Sequence, residues 1–196
     1  MVATAVAFPP EQTQQLYTLE EYLDMEEKSA ERHAFHNGKI IKMAGGTIKH
    51  NLIVANIIHE LKRLLDENDE AYVFGSDQKI YIPKYNFYFY PDAVVVSEEP
   101  IVTAKGYAIT NPILIVEVLS PSTGEYDRGK KFIDYTSIPS FKEYVLIRQD
   151  APEIQTFFRE EHDLWRKTET EGLEQSVFFK SLNISILLSR IYKKVF

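Results

Sequence analysis

The chain has 196 residues, of which 44% are hydrophobic and 26% charged, and its formal net charge is −7 at pH 7. These values are typical of a globular protein long enough to bury a core, and they exclude a disordered tail and a membrane protein. The acidic balance argues against a general nucleic-acid coat, which needs Lys and Arg to neutralise phosphates, and the absence of cysteine excludes disulfide frameworks and thiolate zinc sites.

The sequence predicts a short leader followed by one domain. Residues 1–16 are expected to be an extended leader and residues 17–196 a single domain. The first ten residues, MVATAVAFPP, lack the basic start and the long apolar centre of a signal peptide. No apolar run approaches the ~18 residues of a membrane span. We therefore expect a soluble, cytoplasmic protein that makes no membrane contact.

The N-terminal part of the domain predicts a short helix and then a hairpin. In YTLEEYLDMEEKS, Thr18 is a candidate N-cap, and Glu21 lies at the capping-box spacing three residues later. In HAFHNGKIIKMAGG, the Asn37-Gly38 pair is a two-residue turn signal between extended runs. The two patterns together predict a helix–hairpin extension.

The rest of the chain predicts an α/β arrangement with a mixed sheet. Apolar residues at helical spacing predict a long helix over residues 47–68, and strand-like segments follow at 72–82, 87–96 and 112–120. Helical spacing resumes over 124–138, the segment 141–147 is strand-like, and short strands with a final helical turn end the chain. We expect the N-terminal hairpin and the C-terminal strands to extend this sheet or to pack against it.

Two acidic residues interrupt strands that are otherwise apolar. Asp92 follows the aromatic run FYFYP, and Glu117 lies inside LIVEVLS. If these two strands pair as a hairpin, both carboxylates reach one edge of the sheet, where a mainly apolar setting tolerates them only beside a cation. Mg²⁺ is the economical candidate because it favours oxygen ligands. The alternative is that Asp92 is a turn residue and that Glu117 pairs with a structural lysine.

The helix after Glu117 offers the basic partner that such a site needs. Asp127, Lys131 and Tyr135 are spaced i, i+4 and i+8, so they share one helix face from which Lys131 can point towards Glu117. An ammonium group there would orient a water molecule and stabilise charge that develops on a phosphate. This pattern indicates phosphodiester hydrolysis, although the same spacing also fits an ordinary surface helix.

Several motifs in one order resemble a known family. YPDAVVV, VEVLSPST, YDRGKKFIDY and FKEYVLI, with NGKIIKMAGGTIKH upstream, are similar to the Uma-type family of restriction endonucleases, a branch of the PD-(D/E)XK nuclease superfamily. The resemblance extends from about Tyr17 to the C-terminus. It implies a restriction-endonuclease-like core and metal-dependent hydrolysis of DNA.

The resemblance also implies roles for individual residues. Asp92 and Glu117 would hold Mg²⁺ or Mn²⁺ with help from the backbone carbonyl of Val118. The lysine that usually follows the acid by two residues is replaced here by Leu119, and the family pattern moves it to Lys131. A homodimer would allow two such sites to cut two DNA strands.

One position departs from the family pattern. Family members commonly carry a glutamate four residues before the hairpin glycine, and this chain has Ala34 there. If that glutamate belongs to the active centre, its loss makes the protein slow or inactive. If it braces the hairpin, its loss has little effect.

Two further polar residues have alternative interpretations. His50, at the start of the long helix, either touches a phosphate or is a surface histidine in the first helical turn. Asp77, in GSDQKIY, is either an outer ligand or, as we favour, a salt-bridge partner.

The sequence therefore leaves three functions to compare. The first is a Mg²⁺-dependent DNA endonuclease that uses Asp92, Glu117 and Lys131. The second is a catalytically weak nuclease-fold module that binds nucleic acid or a protein partner. The third is a purely structural protein, which would leave the two acids far apart or paired with basic residues.

Overall fold

The computed structural model describes residues 15–43, 45–65, 71–103, 108–120, 124–161 and 163–196. The predicted leader falls almost entirely on residues 1–14, outside the described residues. Within the described ranges, no helix is both long enough and apolar enough to cross a membrane.

The predicted N-terminal helix and hairpin are both confirmed. Helix α1 spans Leu19–Lys28, and its capping box is complete because the Thr18 hydroxyl accepts from the Glu21 N–H while the Glu21 carboxylate accepts from the Thr18 N–H. Strands β1 (His33–His36) and β2 (Lys39–Lys42) pair in antiparallel fashion. The turn between them needs positive φ angles, which Asn37 (50°) and Gly38 (81°) adopt.

The helix predicted over residues 47–68 is also present in the described residues, and its predicted end at residues 66–68 lies outside them. Helix α2 spans Ile48–Leu65, and its apolar stripe is buried against the sheet while its other face is exposed.

Two predicted strands are each divided into two shorter strands. The segment 72–82 forms β3 (Tyr72–Gly75) and β4 (Lys79–Ile82), and the segment 87–96 forms β5 (Phe87–Phe89) and β6 (Ala93–Val96). A turn closed by the bond from the Gln78 N–H to the Gly75 carbonyl, 3.0 Å long, separates the first pair. Pro91, which has no N–H to donate, lies between the second pair.

The divided strands belong to two different sheets. The remaining strands are β7 (Ala108–Ile109), β8 (Leu114–Leu119), β9 (Glu143–Arg148), β10 (Glu153–Glu161), β11 (Leu164–Glu171), β12 (Ser176–Phe179) and β13 (Ile184–Leu187). One sheet has the order β11-β10-β9-β8-β6-β3, the second has the order β2-β1-β5-β4-β7, and β12 pairs with β13. Both larger sheets are mixed, since β8–β9 and β4–β7 are parallel and the other pairs antiparallel. The predicted α/β class with a mixed sheet is confirmed.

The predicted helix over 124–138 contains an irregularity. It consists of α3 (Gly124–Tyr126), a π-helical turn at Asp127–Lys131 and α4 (Phe132–Thr136). Short π-helical turns inside helices are rare and often occur at functional sites. A last short helix, α5, covers Leu188–Ile191.

The six-stranded sheet separates two hydrophobic clusters. Along β8, Val116 and Val118 point to the cluster that contains α2 and α5, whereas Ile115 and Leu119 point to an aromatic cluster. Strand alternation places Glu117 on the aromatic side. A carboxylate therefore enters a layer that is otherwise apolar.

Glu143 on β9 connects the six-stranded sheet to the β12–β13 hairpin. Its buried carboxylate accepts hydrogen bonds from the N–H groups of Lys180 and Ser181 and from the Ser181 hydroxyl. We expect Glu143→Ala to lower the free energy of unfolding by about 2–3 kcal/mol, because three donors lose their acceptor. Urea unfolding measures this, with Glu171→Ala on the exposed edge strand as control. Equal midpoints for the two variants would contradict the prediction.

Candidate active site

The pairing of β6 with β8 brings the two strand acids together. Ala93 lies opposite Val116, and the Asp92 N–H donates to the Val116 carbonyl over 3.1 Å. The Asp92 carboxylate in turn accepts the Val118 N–H at 2.7 Å. Asp92 is therefore held one residue along β8 from Glu117, as expected for two acids at one sheet edge.

Glu117 lies in a buried site with one strong basic contact. Its side chain is 5% exposed, and its carboxylate lies 2.7 Å from the Lys131 ammonium and accepts the Tyr135 hydroxyl at 3.3 Å. Burial raises the pKa of Glu117 well above its usual value. The Asp127 and Asp92 carboxylates raise it further, and Lys131 opposes them. Negative charge at this position is thus costly unless a cation is present.

Lys131 is the buried cation of the cluster. Its ammonium lies 3.4 Å from the Asp127 carboxylate and 5.9 Å from the centre of the Phe89 ring, in addition to its contact with Glu117. Burial alone lowers the pKa of Lys131, but the Glu117 and Asp127 carboxylates raise it by more, so it lies above its usual value. Lys131 therefore stays protonated.

Asp127 and Tyr135 hold this arrangement in place. The Asp127 carbonyl accepts the hydroxyl of buried Tyr144 at 3.0 Å, which anchors the π-helical turn to β9. Burial raises the pKa of the Tyr135 phenol well above its usual value, with a further contribution from Glu117. Tyr135 is therefore a neutral hydrogen-bond donor to Glu117.

His50 contacts the other acid. Its Nε2 lies 3.3 Å from the Asp92 carboxylate, and this hydrogen bond raises the pKa of His50 while burial opposes it. Gly46 allows this placement, since a Cβ added there would come within 2.5 Å of the His50 Nδ1. Of the two interpretations of His50, the structure favours a side chain that faces the site.

Asp77 does not join the acidic pair. Its carboxylate makes a salt bridge of 2.9 Å to Arg32, which is the role that we favoured from the sequence. Val118 contributes its N–H to Asp92. The role of its carbonyl as a metal ligand stays a prediction.

Ala34 packs against the aromatic cluster that also contains Phe89 and Tyr135. Tyr135 donates to Glu117, and Phe89 faces Lys131. A longer side chain at position 34 would therefore enter the layer where Glu117 and Lys131 meet.

A contact between two basic side chains beside the site was not predicted from the sequence. The Lys130 ammonium lies 2.9 Å from the His36 Nε2, and the His36 ring stacks on Phe87 with 3.8 Å between ring centres. Asp134 lies 3.8 Å from both His36 and Lys130. The i, i+4 spacing of Lys130 and Asp134 was visible in the sequence, but the contact with the hairpin residue His36 depends on the fold.

The acidic pair fits a hard divalent cation. Asp92 and Glu117 offer oxygen donors, and the negative charges of Asp92 and Asp127 both act on Glu117. Among the described residues, no group of three or more His, Asp or Glu side chains is arranged to hold a metal ion. Mg²⁺ at phosphate-processing sites commonly binds one or two carboxylates and completes its shell with water and substrate oxygens. The pair meets that requirement.

Comparisons with known proteins agree with this fold. The Uma2 family model, described as "Putative restriction endonuclease", matches residues 19–187. Two Synechocystis proteins described as uncharacterized, sll1609 and slr1290, are 36% and 34% identical to the chain over 174 residues. The first match covers 88% of this chain and 97% of the relative, and the second covers 89% and 90%.

A solved structure has the same fold. The crystal structure of an Anabaena variabilis protein titled as a putative nuclease of the DUF820 group superposes with a TM-score of 0.74 at 16% identity. The match covers 91% of this chain and 99% of that chain. Since the family model spans most of the sequence and both Synechocystis relatives exceed 30% identity, the chain belongs to the Uma2 family of restriction-endonuclease-like proteins.

Proposed function

We propose that the protein is a Mg²⁺- or Mn²⁺-dependent endonuclease that hydrolyses DNA phosphodiester bonds. The observation that carries this proposal is the convergence of Asp92 and Glu117 at neighbouring strands, with Lys131 in contact with Glu117. Membership of a family whose model is described as "Putative restriction endonuclease" supports the same reaction class.

Asp92, Glu117 and the Val118 carbonyl would hold the metal ion. When bound, the ion supplies positive charge that polarises a phosphate oxygen and favours ionisation of water. Asp92 is orientated for this role by the Val118 N–H and by His50. Glu117 is orientated by the Tyr135 hydroxyl.

Lys131 acts on the water and the phosphate as a charged donor. The Glu117 and Asp127 carboxylates raise its pKa, which favours the ammonium form over the neutral amine that a general base would need. A fixed ammonium beside the acidic pair orients the attacking water and stabilises charge on the pentacoordinate phosphorus centre. Asp127, 3.4 Å away, keeps the ammonium in place.

Exposed basic residues beside the site would contact the DNA backbone. Arg128 and Lys130 are exposed on the same helical segment as Lys131, and Lys130 lies next to His36. These cations supply local attraction for phosphates in a chain whose net charge is −7. His50 is a further candidate for phosphate contact. A homodimer in the cytoplasm would bring two such sites to the two strands of a duplex.

The test is cleavage of supercoiled plasmid by purified protein in Mg²⁺ or Mn²⁺, with EDTA as the metal-free control. We expect metal-dependent nicking that is lost in an Asp92→Ala, Glu117→Ala double variant. A matched variant, Glu98→Ala with Glu125→Ala, removes two exposed carboxylates and should retain activity. Equal nicking by the double variant would overturn the proposal.

A catalytically weak nuclease-fold module is the second candidate. Ala34 favours it, because the family's glutamate position is here packed against aromatic residues. Absence of nicking by the intact protein, with binding of DNA retained, would support this function. Calorimetric titration with Mg²⁺ separates the two functions further, because the endonuclease must bind the ion and the module need not. The Ala34→Glu variant then tests whether the acid restores cleavage.

A further inference from the structure

A groove of about 570 Å³ lies between α2 and the β3–β4 turn. The helix contributes Asn51, Val54, Ala55 and Ile58, which share one face of α2 by their i, i+3, i+4 and i+7 spacing. Its other wall comes from residues 74–78, and its volume is in the range of small-molecule pockets.

The groove is next to the acidic pair. Asn51 directly follows His50, whose imidazole contacts Asp92. On the other wall, Gly75 lies opposite Ala93 in the sheet, and Ala93 directly follows Asp92. Because paired strands lie ~4.8 Å apart, the groove begins one strand spacing from the Ala93 backbone, and Asp92 is the next residue of that chain segment. A ligand in the groove would adjoin whatever Asp92 binds.

The polar groups of the groove suit an uncharged ring with donors and acceptors. Its one carboxylate, Asp77, is paired with Arg32 at 2.9 Å. Asn51 and Gln78 are amides. The Asn51 side chain donates one N–H to the Gly46 carbonyl over 3.5 Å and hydrogen-bonds to His50, so its second N–H is the group left for a ligand. The Gln78 amide uses one N–H on the Lys79 carbonyl at 3.0 Å, which fixes its orientation. Val54, Ala55 and Ile58 supply apolar contact for the faces of a ring.

The missing side chain of Gly75 helps to keep the groove open. A Cβ added there would lie 3.3 Å from the Ile58 Cδ1, which shows that the helix and the turn approach closely at this residue. Any side chain at position 75 would occupy space between the two walls.

We infer that this groove binds one unpaired nucleobase of the substrate strand next to the scissile phosphate, and that Asn51 and Gln78 read its edge. Adenine fits best, because the Gln78 amide can donate its second N–H to N7 and accept from N6 at the same time, while Asn51 donates to the same base. Apolar walls with a few polar groups are typical of sites that hold an extruded base. The inference takes its substrate from the proposed nuclease function.

The test is a titration with deoxyadenosine monophosphate in EDTA, so that cleavage plays no part. We expect shifts of the Asn51 and Gln78 side-chain amide signals in ¹⁵N-resolved NMR spectra. Affinity should fall about 10-fold in Asn51→Ala and in Gln78→Ala. Ala55→Leu, at an exposed helix position, fills the groove without removing a hydrogen bond and should weaken binding as well.

Gln175→Ala, at an exposed position before β12, is the matched amide control and should bind as the unmodified protein does. Unchanged affinity in all three groove variants, or equal affinity for thymidine monophosphate, would overturn the inference. Plasmid cleavage without nucleotide binding would overturn the groove inference and support the proposed endonuclease function. Nucleotide binding without plasmid cleavage would support the groove as a nucleotide site and overturn the endonuclease function.

Discussion

Replacing Lys131 with methionine is expected to lower the free energy of unfolding by about 3–5 kcal/mol, the usual cost of leaving a buried charge without its partner. Glu117 and Asp127 would both lose the ammonium that lies 2.7 and 3.4 Å from them. Methionine keeps the apolar length of the side chain, so the loss is mainly electrostatic. Urea unfolding in EDTA, with the exposed Lys142→Met as control, measures the difference.

Two further measurements separate electrostatics from packing. Adding Glu117→Gln to Lys131→Met should recover part of the lost stability, because the double variant has one buried carboxylate fewer. Mg²⁺ should stabilise Lys131→Met more than the unmodified protein if the ion binds beside the unpaired acids. If Lys131→Met is as stable as Lys142→Met, the buried ion pair does not have the role assigned to it here.

The sequence could predict the two strands that carry the acids and the edge at which they meet. Asp92 and Glu117 each interrupted a strongly apolar strand, and a carboxylate in that setting needs a partner that the chain must supply. The spacing of Asp127, Lys131 and Tyr135 located that partner on the next helix. Local periodicity was enough because β6 and β8 are neighbours in the six-stranded sheet and pair directly.

Features that depend on non-local packing were not predictable. The segments 72–82 and 87–96 read as single strands, yet each passes from one sheet to another around a short turn. The spacing of apolar and polar residues over 124–138 predicts a helix. It does not indicate whether the backbone bonds join residues four or five positions apart, which is what distinguishes an α-helix from a π-helical turn. The contact of His36 with Lys130 joins residues 94 positions apart.

Glu117→Gln is expected to reduce metal-dependent cleavage by about 10²–10³-fold while changing the free energy of unfolding by less than about 1 kcal/mol. Glutamine keeps the size of the side chain and an oxygen that can accept from Lys131 and Tyr135, but it removes the charge that a metal ion requires. Plasmid nicking and urea unfolding on the same preparation give both quantities. Glu125→Gln, on the exposed face of α3, is the matched control.

The expected loss of stability is small for Glu117→Gln and large for Lys131→Met, and this difference distinguishes an active site from a structural ion pair. Three carboxylates, those of Asp92, Glu117 and Asp127, act on this cluster against the Lys131 ammonium and the His50 imidazole. Removing one carboxylate leaves the opposite charges closer to balance, whereas removing the ammonium leaves an excess of negative charge. A structural pair would lose comparable stability from either side. If Glu117→Gln unfolds the protein as readily as Lys131→Met does, the acids serve the fold, and the excess of negative charge needs an explanation other than a metal ion.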